Sequence, residues 1–287
     1  MKKKIILIVC LIVVIAVLVA IPKQTYQKWF GKTPTTDNPP TVYTEYQTVY
    51  VKNAGQKIVG VKIGVASIEE DQISQKWDLL TKNGNVLPSG YTSAIAPSAT
   101  LVEHELTNGV LTLHVSNDFL KSEGRSAVEA LAWTFCDDQI HEVIVKIDGE
   151  VVKELNEYRF KKIAKEIGVN MTYETSYLFE ATCTTIIHHN GDNIIPVTYF
   201  YMDTNVCDYI IKKTLDEQMV SSKGYSFTLA EDGLVINLAT NDKLDEKTLL
   251  SISESVQFNL NVDYLTINGI ESVLYQKTFK ELDPGKA

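Results

Sequence analysis

The sequence predicts an α+β fold: two repeated modules, each a small mixed sheet packed by two helices, after an N-terminal transmembrane helix. Three observations predict it. Lys2, Lys3 and Lys4 precede an unbroken apolar run from Ile5 to Ile21. Beyond that run, short stretches with apolar residues at period two are interspersed with stretches at helical spacing. The segment NGVLTLHVSNDFL, residues 108–120, is echoed by DGLVINLATNDKL, residues 232–244.

The apolar run is 17 residues long, just enough to cross a bilayer core at about 1.5 Å per residue. The lysines before it are expected to stay cytoplasmic, which places everything after Pro22 outside. A cleaved signal peptide fits less well, because Leu18 stands where a small residue is wanted two positions before Ala20. A lipid-modified Cys10 also fits less well, since Val9 precedes it. Residues 1–22 therefore read as cytoplasmic lysines and anchor. Residues 23–41 read as a stalk, with three prolines and four threonines between Gly31 and Thr41.

A first module is expected over 42–155 and a second over 170–282, with a linker at 156–169 and a tail at 283–287. In the first, residues 47–53 and 57–66 alternate as paired strands around Ala54-Gly55-Gln56. Residues 70–80 read as a helix burying Ile73, Trp77 and Leu80. Strands at 102–106 and 110–115 flank Asn108-Gly109, a strong hairpin signal. A second helix is expected over 126–136, burying Val128, Leu131 and Phe135, with Ser126 and Glu129 as a capping box. A strand over 142–147 ends at Asp148-Gly149. YQTVYVKN and YETSYLFEA are each expected to open a half, and helices at 206–219 and 246–258 complete the second module. VIVKIDG (143–149) is matched with DYLTING (263–269). Equating Asn108-Gly109 with Asp232-Gly233 places Leu111, Leu113 and Val115 on one strand face, but Ile236 and Leu238 on the other, so a one-residue difference is expected in one copy. Residues 156–167, with Arg159, Lys161, Lys162 and Lys165, read as a short basic linker helix with a solvated face.

Composition bounds the function. With 45% hydrophobic and 22% charged residues in 287, the chain buries real cores, and disorder or a disulfide scaffold is excluded. The net charge is −9, and beyond the three lysines 24 basic residues face 36 acidic ones. Nucleic acid and anionic polymers are poor partners for such a surface. Outside the anchor, Cys136, Cys183 and Cys207 form no CxxC pair, and Cys136 and Cys183 read as buried small hydrophobes.

The five histidines form no usable constellation. Across the Asn108-Gly109 turn, His104 pairs with Leu113 and His114 with Glu103, which puts the two rings on opposite faces. His188 and His189 are adjacent in a strand and also divide between faces. His141-Glu142 lacks the second histidine of a zinc-protease helix. GQKIVGVK, residues 55–62, departs from a phosphate loop and reads as a hairpin. Glu69-Glu70-Asp71 suits a helix start, Asn117-Asp118 and Asn241-Asp242 suit loops between strand and helix, and an ion at Asp137-Asp138 would need further oxygens. No catalytic, cofactor-binding or metal-binding residues emerge, no cofactor is expected, and the chain is expected not to be an enzyme.

The pattern NGVLTLHVSNDFL, VEALAWTF and HEVIVKIDGEVV resembles the GerM domain of sporulation and spore-germination proteins, with DGLVINLATNDKL and ESVQFNLNVDYLTINGIES similar to a second, more divergent copy. The junction FKKIAKEIGVN resembles the inter-domain segment of the same family. The resemblance implies a tandem, envelope-anchored, non-enzymatic protein of a spore-forming or related Gram-positive bacterium. It also implies likeness to the ring-building modules of secretion assemblies, and hence association with itself or an envelope protein. The alternative expectation is an envelope protein binding a small ligand or glycan, for which Tyr199, Phe200 and Tyr201 on one strand would offer exposed rings.

Overall fold

The computed structural model describes residues 45–81, 87–215, 224–240 and 243–279. The expected anchor and stalk lie outside the described residues, among which no helix is long and apolar enough to cross a membrane. The first half runs β1 (Glu45–Asn53), β2 (Ile58–Val65), α1 (Gln72–Thr81), β3 (Tyr91–Thr92), β4 (Leu101–Thr107), β5 (Val110–Val115), α2 (Gly124–Phe135), β6 (Glu142–Ile147) and β7 (Glu150–Val151). The hairpin β8 (Glu154–Leu155) and β9 (Tyr158–Arg159) and the short β10 (Thr172–Tyr173) lead to the second half. That half runs β11 (Thr182–Asn190), β12 (Asn193–Tyr201), α3 (Val206–Thr214), β13 (Tyr225–Leu229), β14 (Gly233–Leu238), α4 (Glu246–Asn259), β15 (Tyr264–Asn268) and β16 (Val273–Thr278). The helix expected over 206–219 stops at Thr214, with Leu215 already extended, and Met219 lies outside the described residues.

Each half closes with a four-stranded outer sheet, β4-β5-β6-β7 and β13-β14-β15-β16. In both, the central pair is parallel and the flanking pairs antiparallel. A parallel pair needs a crossover, and α2 and α4 supply it. The apolar alternation decides which face each sheet buries: Leu111, Leu113, Val143 and Val145 lie under Val128, Leu131 and Phe135 of α2, all essentially without exposure.

The opening hairpins do not join the outer sheets of their own halves. They meet in a shared sheet of order β10-β12-β2-β1-β3, with β11 also on β12. The two halves touch there through Asn193 opposite Val61 and Ile194 opposite Gly60. Asn170, in a left-handed conformation (φ 47°), secures the join: its Nδ2 donates to Ile58 O at 2.7 Å and Pro196 O at 2.8 Å, and its Oδ1 accepts from Ile58 N at 2.8 Å. Ile187 lies in the first half's core, and Phe258 and Ile194 pack against it.

Helix α4 covers the outer edge of β11. Asn259 Oδ1 accepts from Thr185 N at 3.0 Å, Ser255 Oγ from Ile187 N at 2.9 Å and Ser251 Oγ from His189 N at 3.0 Å. Four helical residues advance about 6 Å, and two strand residues about 6.6 Å, so side chains four apart meet strand amides two apart. The first half keeps one such bond, Tyr50 N to Thr134 Oγ1 at 2.9 Å.

Four local expectations need correction. Leu111 faces Val143 and Leu234 faces Leu265 across the parallel pairs, so Gly233 is the counterpart of Val110, and Leu265 of Val143. The first hairpin turns on Asn108-Gly109. In the second, Ala230 N donates to Gly233 O at 2.8 Å, which leaves Glu231-Asp232 as the turn. The two copies differ by the expected single residue, and Leu234, Ile236 and Leu238 then bury as Leu111, Leu113 and Val115 do.

The expected linker helix is instead a hairpin followed by a strand-like bridge from Ile163 to Val143 and a 3-10 turn over Lys165–Ile167. Asn156 and Glu157 take left-handed φ of 49° and 69°, and Leu155, Ile163 and Ala164 are buried, which a basic surface helix would not allow. The capping box does not form, because α2 starts at Gly124, ahead of Ser126. The Glu129 carboxylate is turned to Arg125 Nε at 2.7 Å and Asn170 N at 3.3 Å. Finally, YETSYLFEA does not open the second half: Tyr173, Tyr177, Leu178 and Phe179 are exposed, and the hairpin begins at Thr182.

Candidate functional site

The first outer sheet ends on β4, whose outer side no strand of the described residues covers. Its position is set by the turn at one end and by a side-chain contact at its middle. The two-residue turn places Asn108 and Gly109 at φ 50° and 77°, the pair of left-handed residues that this hairpin geometry requires. At Gly109 a Cβ would lie 2.4 Å from His141 Nδ1, so a side chain there would have to displace the His141 ring. At the middle of the strand, His104 Nε2 lies 2.9 Å from Asp71 Oδ1, which ties β4 to the start of α1.

The same Asp71 oxygen accepts from Ser74 N at 3.0 Å as the helix cap. The Ser74 hydrogen bonds first, and then His104, hold the Asp71 carboxyl down to about 2. Along the open edge Val102 is 72% and Leu106 45% exposed. Glu103 and Glu105 stand out beside them, and the pairing shifts between Leu101 and Glu103. Charged side chains and a bulge are the devices by which an open edge avoids indiscriminate pairing. Among the described residues the second outer sheet also ends on uncovered strands, with Leu229 half exposed on β13 and Val273 exposed on β16.

The histidines fall where the register puts them. His104 opposes Leu113 and His114 opposes Glu103, so the two rings take opposite faces. His114 Nε2 is 3.8 Å from Glu103, and His189 Nε2 is 2.9 Å from Glu254. His188 meets the Tyr199 hydroxyl at 3.4 Å, and its pKa is lowered by burial, then by Lys213 and Lys57. His141 donates its backbone N–H to Gly109 O. Among the described residues no three His, Cys, Asp or Glu side chains are grouped to hold a metal. Asp137 Oδ1 accepts from the N–H groups of Gln139 and Ile140 at 2.8 and 2.9 Å, a loop-shaping role. Residues 55–62 form the β1–β2 hairpin. Asn241-Asp242 lies outside the described residues.

Two exposure expectations are overturned. Cys183 is exposed while Cys136 is buried, because β11 is covered on both faces only over residues 184–187. Tyr201 is 3% exposed, with its ring stacked on Tyr209 at 3.5 Å between centroids and its hydroxyl 2.7 Å from that of Thr184. Tyr199 and Phe200 are partly buried, so the three rings form no exposed platform. Beside them lies a cluster that sequence reasoning missed. Glu174 accepts from the Tyr209 hydroxyl at 2.9 Å and from Lys213 Nζ at 2.6 Å, and Lys213 lies over the rings of Tyr199 and Tyr209 at 5.0 and 5.4 Å. Burial first, and then Glu174, push the Tyr209 phenol up. Each polar group here has a partner, so the cluster holds β10 to α3.

Residues 48–153 match the model of a family described as "Germane: Sporulation and spore germination". No curated protein matches the chain in sequence. Among solved structures, the chain is similar to the tandem GerMN domains of the sporulation protein GerM from Bacillus subtilis, at 16% identity and a TM-score of 0.66, over 80% of this chain and 92% of that one. The first GerMN domain of the same protein, solved alone, is 19% identical over 42% of this chain and 97% of that chain, with a TM-score of 0.38. The tandem likeness shows the fold, and the family match shows that the first half carries the sequence pattern of the family.

Proposed function

Taking the chain as GerM-like in fold and in the sequence of its first half, we propose that it is a membrane-anchored, extracytoplasmic interaction module that acts by association rather than catalysis, in a sporulation- or germination-related envelope assembly. The anchor is the run from Ile5 to Ile21, held with its lysines inside. The observation that carries the reading is the β4 edge, which no strand of the described residues covers and where Val102 and Leu106 are exposed. An added strand gains main-chain hydrogen bonds there, and Glu103 and Glu105 select a partner strand with basic side chains. The partner is a second copy or an envelope protein.

Light scattering of residues 42–287 over a concentration series tests this. Mass is expected to rise with concentration or to settle at a discrete oligomer, and Val102→Lys, which places a charge on the edge, is expected to return it to monomer. If residues 42–287 stay monomeric and the full chain captures no envelope protein on cross-linking, the association reading fails.

A further inference from the structure

A cavity of 580 Å³ opens where the two halves meet, within the roughly 300–1,000 Å³ span of small-molecule sites. One wall is aromatic. Trp133 of α2 stacks on Phe258 of α4 at 5.4 Å and tilts against Tyr50 of β1 at 5.5 Å. Lys165, from the 3-10 turn between the halves, lies over the Trp133 ring at 5.1 Å, and Lys277 of β16 enters from the second half.

The charges around this wall are unequally satisfied. Glu166 is paired with Lys162 at 3.0 Å, Glu254 with His189 at 2.9 Å, Asp137 Oδ1 is taken by two backbone N–H groups, and Asp138, also on the cavity wall, attracts Lys165 without an ion pair. Among the described residues, Lys165 and Lys277 make no ion pair, and each rests against an aromatic ring instead. Among the described residues the indole N–H of Trp133 has no acceptor, and it is closed off from the cavity as from solvent. A partly buried cation held in no ion pair is costly until a counter-charge comes into direct contact with it. Burial lowers the Lys165 pKa despite the attraction of Cys136, Asp137 and Asp138, so the desolvation of this ammonium outweighs its protein partners.

We propose that this cavity binds a small carboxylate with an apolar or aromatic body, its carboxylate held by Lys165 and Lys277 and its body laid against Phe258. The ligand bridges the halves, since Lys165 precedes β10 while Phe258 and Lys277 belong to the second half. The site is separate from the β4 edge and stands whether or not that edge takes a partner.

The carboxylate can belong to a free acid or to a peptide C-terminus, and calorimetric titration of the full chain in detergent distinguishes them. The probes are phenylacetate, phenylacetamide, the tripeptide Ac-Ala-Ala-Phe and its C-terminal amide. One-to-one saturable binding is expected for phenylacetate, with at least tenfold weaker binding of phenylacetamide. Lys165→Gln and Lys277→Gln should each weaken it tenfold or more while the unliganded melting temperature holds, and Lys165→Arg should keep it. Tighter binding of the tripeptide than of phenylacetate, with its amide weak, supports the same site and assigns it to peptide termini. The proposal is overturned if neither acid binds saturably, if the amides bind as well as the acids, or if both glutamine variants bind like the parent. None of these titrations depends on oligomer mass, so failure here leaves the edge reading intact, and the reverse.

Discussion

At the scale of single residues, Asp71 shows how one side chain serves two elements, capping α1 and holding His104 of β4. Its carboxyl is depressed in the fold to about 2, against an ordinary value near 4. A depressed carboxyl contributes stability that is present above the unfolded value and is lost as pH falls from about 4 toward 2. Asp71→Ala should cost about 1 kcal/mol at neutral pH. Asp71→Asn, an equally good cap, should retain that stability and flatten its decline in acid, as urea unfolding at several pH values will read. The role of Asp71 is legible in sequence, because an acidic run before a period of Ile73, Trp77 and Leu80 marks a helix start. The role of Glu129 is not. Its spacing from Ser126 satisfies the capping-box pattern, and only the arrival of Arg125 and Asn170 from either side decides where the carboxylate turns.

Among the elements, the two outer hairpins carry the same packing on different turns. Gly233 lies inside β14 under the ring of Tyr264, where a Cβ would come within 2.1 Å of Cζ. Gly233→Ala should destabilise by about 1–3 kcal/mol through this overlap, and Tyr264→Thr in the same chain should recover most of it. Thermal unfolding of the two variants and their combination checks this. If the double variant recovers nothing, the ring is not what demands glycine. Asn108-Gly109 is readable because Asn and Gly are the residues that accept left-handed φ most easily. Glu231-Asp232 and Asn156-Glu157 carry a weaker signal. In the first case the neighbouring Gly233 imitates a turn residue, which displaces the apparent match of the copies by one position. The buried alternation of Leu234, Ile236 and Leu238 is the stronger guide, because burial leaves no freedom of face.

For the molecule as a whole, the α+β class and the duplication are legible in period and repeat, while the shared sheet is not. It depends on two residue pairs between β2 and β12 and on the side chain of Asn170, and neither leaves a local pattern. Asn170→Ala removes three hydrogen bonds at the join, each worth about 1 kcal/mol, and loses a residue suited to left-handed backbone. A total loss of about 3 kcal/mol is expected in urea unfolding, and a loss below about 1 kcal/mol would show that the halves hold together without it. The α4 side chains along β11 have a consequence of another kind. Because Ser251, Ser255 and Asn259 meet amides two residues apart, α4 gauges the position of β11 from outside its own hairpin, and a slip of one residue would break all three bonds at once. The Gly191-Asp192 connection is thereby relieved of setting alignment, and the loop there is free to lengthen or change in descent while the strands keep their places.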